Sequence, residues 1–265
     1  MLEVEAATMD YRIRGASLIP RRLRALEGVS LTVPEGASVG IVGESGSGKS
    51  TLARIICGLT VPTAGRILLD GDPLRLRTRS DRERWWRAVQ IVFQDPYLSL
   101  NPAMTIGDIV AEPMVMWHGR SWRDARGEAR NRLERVGLDP GLASVTSAVL
   151  SGGQRQRVSI ARALAVSPRL MVLDESVSAL DVSVQAQILT LLDDLRRTEE
   201  LTYVFISHDI SVIRLISEQV LVMHEGRVVE RCGVEDLTPD RVTHDYTRRL
   251  LEAVPRPIGT SSDAR

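Results

Sequence analysis

The residues with the plainest chemistry stand in GESGSGKST, residues 43 to 51, between the apolar run ASVGIV and the helical pattern LARIICGL. The string has the form G-x-x-x-x-G-K-[ST], with Gly43, Gly48, Lys49 and Ser50 at its fixed positions. Its glycines let the amides of a loop running through Glu44, Ser45, Gly46 and Ser47 to Thr51 turn inward on a phosphate. Lys49 is placed to reach β and γ oxygens, and the Ser50 hydroxyl to bind Mg²⁺. Lys49 is also the only lysine among 34 basic residues. Arginine is too wide and forked to replace a compact ammonium in such a slot.

Two carboxylates close the apolar run RLMVLDES. Asp174 falls at the carboxyl end of a strand, where open α/β sheets bind ligands, and can hold Mg²⁺ through water. Glu175 is placed to accept a proton from an attacking water. A helix-capping aspartate is the plain alternative when such a pair stands alone. His208 follows a further apolar run in YVFISHD and Gln94 follows VQIVF, so both share that sheet edge. The histidine is in reach of a γ-phosphate, and the glutamine can ligate metal or position water. A lone loop histidine is more often a surface residue, and neither group decides the matter alone.

A second glycine stretch, VLSGGQRQRV, puts Ser151, Gly152, Gly153 and Gln154 ahead of Val158, Ala161, Leu164 and Ala165, which repeat at helical spacing. A helix start with exposed amides attracts anions, yet one nucleotide does not need two phosphate loops. The plain alternative is that these glycines only begin a helix.

Around these residues the elements can be read. LEVEA and VSLTV alternate as antiparallel strands, and AGRILLDGDPL reads as a short strand pair. Residues 14 to 24 look like an insertion. LRLRTRSDRERWWRAVQ carries six arginines around Trp85 and Trp86 and reads as a solvated helix that buries one tryptophan. The proline-broken stretch QDPYLSLNPAMTIGDIVAEPMVMWHG precedes an amphipathic helix through Trp122, Ala125, Ala129, Leu133 and Val136, so residues 95–148 form a helical subdomain. Apolar runs at 170–173, 203–206 and 220–223, separated by helical patterns such as Ile188, Leu191, Leu192 and Leu195, predict a largely parallel sheet covered on both faces. The expected class is α/β.

Composition bounds the answer. Formal net charge is zero, which gives no electrostatic reason to propose a nucleic-acid partner. No apolar run approaches the roughly 18 residues of a membrane span, and the first residues lack signal-peptide order. Cys57 and Cys232 have no metal-ligand spacing and read as buried thiols.

The order GESGSGKST, IVFQDP, LSGGQ, LMVLDE, SALD, ISHD resembles the ATP-binding subunit of an ABC transporter over nearly the whole chain. The resemblance implies a P-loop NTPase core with an N-terminal antiparallel β subdomain and a helical subdomain. A single domain over 1–265 is expected: core and β subdomain from 1–94 and 149–250, helical signature subdomain from 95–148, tail from 251–265. Position by position, Gln94 resembles the Q-loop residue, Ser151, Gly152, Gly153 and Gln154 the signature, and Asp174 with Glu175 the Walker B pair. Ser178, Ala179, Leu180 and Asp181 are similar to the D-loop, and His208 to the switch histidine. Mg²⁺ would then be held by Ser50, Gln94 and Asp174, and ATP hydrolysed with Glu175, His208 and Gln94. The family also implies that the signature faces a γ-phosphate held by a second ATPase subunit, and that an aromatic stacks on adenine; Tyr11 is the candidate, a buried strand tyrosine the alternative.

FQDPYLSLNPAMTIGDIVAEPM, ALDVSVQAQIL and HDYTRRLLEAVP look like the importer ATPases for dipeptides, oligopeptides and nickel. Two transmembrane permeases are the implied partners, received along Asp95 to about Trp117, with an extracytoplasmic solute-binding protein acting indirectly. The implied location is the cytoplasmic face of the inner (plasma) membrane, peripherally; peptide, nickel and glutathione stay open as cargo. The cysteine-bearing extension of many relatives is absent, which argues against an iron–sulfur site, and Ser176 and Val177 stand where Pro-Thr is commoner. The rival reading is a soluble ABC-type ATPase acting on DNA or ribosomes, against which the lack of a long coiled coil and of a second ATPase half both speak. An inactive regulatory subunit is disfavoured by Lys49, Glu175 and His208.

Overall fold

In a computed structural model that describes residues 1–13, 21–95 and 99–253, the described residues form two sheets and the α-helices named below. Most of the insertion-like segment, residues 96–98 of the proline-broken stretch and all of 254–265 lie outside the described residues. The first sheet joins β1 (Leu2–Ile13), β2 (Arg21–Val33), β4 (Ala64–Leu69) and β5 (Asp72–Pro73) in the antiparallel order β2-β1-β4-β5. Residues 21–24 pair with 10–13, so the first of these runs extends β2 and does not belong to an insertion.

The second sheet has the order β10-β9-β3-β8-β7-β6. Its strands β3 (Ser38–Val42), β6 (Val89–Val92), β7 (Leu170–Asp174), β8 (Thr202–Ser207) and β9 (Gln219–His224) run parallel, and β10 (Arg227–Gly233) closes one edge antiparallel. Strands covered on both faces need apolar side chains at successive positions, which is why these runs read as continuous and not alternating. Met171, Leu173 and Phe205 enter one core, while Val172, Val204 and Ile206 enter the other.

The second of those cores holds α1 (Lys49–Ile56), α2 (Arg79–Ala88) and the antiparallel sheet. On the opposite face lie α3 (Ile106–His118), α4 (Trp122–Arg135), α5 (Gly152–Leu164), α6 (Val182–Thr198), α7 (Ile210–Ile216) and α8 (Asp245–Glu252). Helix α5 packs against α3 and α4 and also against β6, so it joins the helical layer to the sheet. Thr105 and Ser121 cap α3 and α4 by accepting from the amides of Asp108 and Asp124. Ala125, Ala129, Leu133 and Val136 are buried as their spacing predicts, but Trp122, in the first turn, stays 42% exposed with the Arg126 guanidinium over its ring. Cys57 is buried, Cys232 partly so, and both thiols are free. Leu251 is buried and α8 runs to Glu252, so the first residues assigned to a tail finish a helix.

The arginine-rich segment is α2, begun by a reciprocal capping box between Thr78 and Asp81. Trp85 is buried and donates its indole N–H to the carbonyl of Ile56 at 3.0 Å, tying α2 to the end of α1. Trp86 lies beside it in sequence with its ring 5.8 Å from that of Trp117. Trp85→Ala is expected to cost about 3–5 kcal/mol from the lost contacts and the cavity left. A loss of unfolding free energy of less than about 1 kcal/mol in urea denaturation would count against Trp85 as the anchor of α2.

Candidate nucleotide site

Strand β3 is buried at every residue and delivers the glycine loop to the carboxyl edge of the sheet. Gly48 ends the loop at φ +104°, and a Cβ there would stand 2.7 Å from the carbonyl oxygen of Ala25, so both backbone and space demand glycine. Lys49 begins α1 and is only 5% exposed. Its Nζ donates to the carbonyl oxygens of Gly43 at 2.6 Å and Glu44 at 2.8 Å. Burial pulls its pKa down, and the carboxylates of Glu175, Asp174 and Glu44 work against that fall.

A cleft of about 300 Å³ opens beside the loop, lined by Tyr11, Leu23, Arg24, Ala25, Ser45, Gly46, Gly48, Lys49, Ser50, Thr51 and Glu175. Tyr11 therefore reaches the same hollow as the phosphate loop. Leu23, which spacing does not single out, sits directly opposite Tyr11 in the β1–β2 register and is 52% exposed there. Arg24 joins them, paired with Asp10 at 3.0 Å. A larger hollow of about 600 Å³ between β2 and β10 offers no comparable chemistry, because Arg227 already pairs with Glu27 at 2.8 Å and Arg231 with the Ser30 carbonyl at 2.6 Å.

Across the sheet edge, four of the sequence motifs meet. Glu175 takes φ +49°, a left-handed backbone that costs a non-glycine residue on the order of 1–3 kcal/mol. Its amide donates to Ile206 at 2.9 Å, and its carbonyl accepts from the Ser178 hydroxyl at 2.9 Å and the Ser178 amide at 3.1 Å. Its Oε2 stands 3.4 Å from Nδ1 of His208. The Gln94 side chain donates to the Ser178 hydroxyl at 3.4 Å. Gln94, Ser178, Glu175 and His208 are thus one string of contacts.

Asp174 ends β7 with Oδ1 buried and unpartnered. Burial first, then the neighbouring Glu175 charge, pushes its carboxyl pKa up, while the Ser50 hydroxyl and the Lys49 ammonium oppose that rise. An orphaned carboxylate oxygen beside a serine hydroxyl is the donor set a small hard cation takes. Among the described residues no group of three His, Cys, Asp or Glu could hold a metal.

None of Ser151, Gly152, Gly153 or Gln154 lines the cleft. Ser151 caps α5 in a reciprocal box: its hydroxyl accepts from the Gln154 amide at 3.3 Å, and the Gln154 side chain accepts from the Ser151 amide at 3.0 Å. A Cβ on Gly153 would stand 2.5 Å from Cγ1 of Val184, so α6 can approach α5 only over glycine. Asp181 caps α6, accepting from the Val184 amide at 2.9 Å, and Ser178 and Ala179 are exposed just before it.

Residues 26–178 match the family described as ABC transporter, more than half of the chain. The chain belongs to the ABC transporter family. The cassette is 45% identical over 260 residues to the probable peptide ABC transporter ATP-binding protein y4tS of Sinorhizobium fredii, covering 97% of this chain and 73% of that one. It is 46% identical over 240 residues to the oligopeptide transport ATP-binding protein OppF of Salmonella typhimurium, covering 90% and 71%. Among solved structures, the dimeric post-hydrolysis state of the ATP-binding cassette MJ0796 bound to ADP and Pi superposes with a TM-score of 0.77 at 31% identity, over 88% of this chain and 99% of that one. The chain is an ATPase of this type, with the α/β cassette fold its motif order implies.

In this ABC ATPase the departure at Ser176 and Val177 is a matter of packing. Both are buried, and Val177 joins the core shared with the helical layer. The raised Asp174 has a consequence for stability. Its folded pKa lies above the unfolded one, so the fold holds the proton more tightly, and stability falls as pH rises from about 3.9 through that raised value. Asp174→Asn is therefore expected to raise the melting temperature at pH 7 and to abolish any further gain from Mg²⁺ with ATP. A lower melting temperature in thermal scans without nucleotide would contradict the assignment.

Proposed function

We propose that this ABC ATPase powers the uptake of peptides, or of a related small solute such as nickel or glutathione, by hydrolysing Mg-ATP between two ATPase subunits. The carrying observation is the string from Gln94 through Ser178 and Glu175 to His208, of which Glu175 lines the lysine-bearing cleft. The names of the two relatives, both peptide or oligopeptide transport ATP-binding proteins, support the cargo class.

In this reading, Tyr11 and Leu23 form the wall against which adenine rests, the loop amides and Lys49 hold the triphosphate, and Glu175 takes a proton from the attacking water. His208, 3.4 Å from Glu175, holds that carboxylate toward the γ-phosphate side and supplies an N–H to the oxygen on which charge develops. Ser50, Asp174 and Gln94 would hold Mg²⁺, which would supply neutralisation of charge on the triphosphate. Gln94 answers to both ends, since it touches Ser178 of the D-loop and follows the exposed Phe93.

The signature of one subunit completes the site of another, because it lies outside its own cleft and its serine is exposed. The dimeric ADP-bound relative supports that arrangement. Against a permease, the groove of about 360 Å³ between α2 and α3, lined by Arg79, Arg82, Glu83, Trp86, Met116 and Trp117, offers an apolar floor with a charged rim to a cytoplasmic helix. No described helix is long and apolar enough to cross a membrane, so association with the inner face of the membrane would run through such a partner. The rival reading, action on DNA or ribosomes, finds no support in the relatives, and the segment between loop and signature folds into short strands and helices with no long coiled coil among the described residues.

Glu175→Gln is expected to bind ATP normally and to lose turnover by a factor of about a hundred or more; near-normal phosphate release in a steady-state assay would sink the role of general base. Ser151→Arg, mixed with the parent chain, is expected to silence hydrolysis in the neighbouring subunit while its own loop still binds ATP. If hydrolysis in such mixtures tracks only the fraction of parent chain, the signature merely begins a helix.

A further inference from the structure

The phosphate loop is held from outside by a residue that none of its motifs contains. Tyr246, in the first turn of α8, is 5% exposed, and its hydroxyl accepts from the amide of Glu44 at 3.1 Å. That N–H shares a peptide plane with the carbonyl of Gly43, which accepts from Lys49 Nζ at 2.6 Å. In a trans peptide the N–H and C=O point to opposite sides, so a partner fixed on one side fixes the direction of the group on the other. The tyrosine hydroxyl and the lysine ammonium therefore grip the same peptide from its two opposite edges. Burial keeps the phenol protonated and neutral, pushing its pKa up.

Tyr246 is itself held firmly. Its ring stacks on His224, with centroids 3.9 Å apart and planes 23° apart. The chain entering α8 is bound to β10 by Glu230, whose carboxylate accepts from the Thr243 amide and hydroxyl, each at 3.0 Å, and from the His244 amide at 2.8 Å. His244 then caps the helix, its Nδ1 accepting from the Tyr246 amide at 3.1 Å. Such a build is more than a surface helix requires, and it ends on one hydroxyl.

We propose that Tyr246 is a positioning residue for Lys49: its hydroxyl sets the Gly43–Glu44 peptide that carries the ammonium, and so ties the HDYTRRLL segment to triphosphate binding. The consequence for ATP rests on the reading of residues 43–51 as the nucleotide loop; the effect on Lys49 does not. Tyr246→Phe keeps the ring and its stack and removes only the acceptor.

Because Lys49 is the only lysine, labelling with [ε-¹³C]lysine gives a single Cε resonance, a direct report on this ammonium. Tyr246→Phe is expected to move that resonance, to raise the dissociation constant for TNP-ATP about three- to tenfold, the worth of one neutral hydrogen bond, and to leave TNP-AMP, which lacks the β and γ phosphates, within about twofold. An unmoved lysine signal in the folded variant, or equal weakening of TNP-ATP and TNP-AMP, would overturn the proposal and leave Tyr246 a packing residue. A moved signal in a chain whose parent form binds no TNP-ATP would uphold the positioning and overturn the nucleotide-loop reading instead.

Discussion

The structure turns on one buried ammonium. An amine taken out of water must be surrounded by acceptors, and Lys49 meets that demand with two backbone carbonyls of its own loop and with the field of Glu175, Asp174 and Glu44. Each acceptor imposes a condition. The carbonyls face inward only if Gly43 and Gly48 let the backbone close up against Met223 and Ala25. The carboxylates are near only if β3 is separated from β7 by a single strand, β8, whose own end presents His208. Sheet order, glycine placement and the nearness of Asp174 and Glu175 are three answers to one electrostatic requirement.

Much of this was legible because it is local. The phosphate loop is nine consecutive residues, and the buried strands announce themselves by apolar runs bounded by turns. What escaped is what depends on partners far along the chain. Leu23 enters the cleft because the β1–β2 register sets it opposite Tyr11, and that register runs through a segment whose pairing no spacing reveals. The left-handed backbone at Glu175 has no signal in a sequence where Asp-Glu-Ser follows a strand, since glycine, the residue that would advertise it, is absent. Gly153 reads as a phosphate-binding glycine, yet it also serves contact with Val184 of the next helix.

Tyr246 is the extreme case. It lies 202 residues from Glu44, and its motif looked like a mark of subfamily and no more. A hydroxyl that closes the far side of a nucleotide loop cannot be inferred from the loop, because backbone amides leave no trace in residue type. The arginine-rich segment is the local case again: six arginines around two tryptophans read as a solvated helix that buries one of them, and Trp85 is that residue, holding α2 to α1.

In the proposed pairing of two cassettes, the capping box at Ser151 would set how the surfaces meet. The Gln154 amide fixes the serine oxygen as an acceptor, and the hydroxyl proton is left to swing outward. The rotamer freedom of that side chain has therefore been given up when the helix folded, long before any second subunit arrives. Association then freezes little that was moving, and dissociation leaves the Ser151 and Gln154 amides still bound within the box. A surface built this way is ready in either condition, as the proposed cycle of association and release would require.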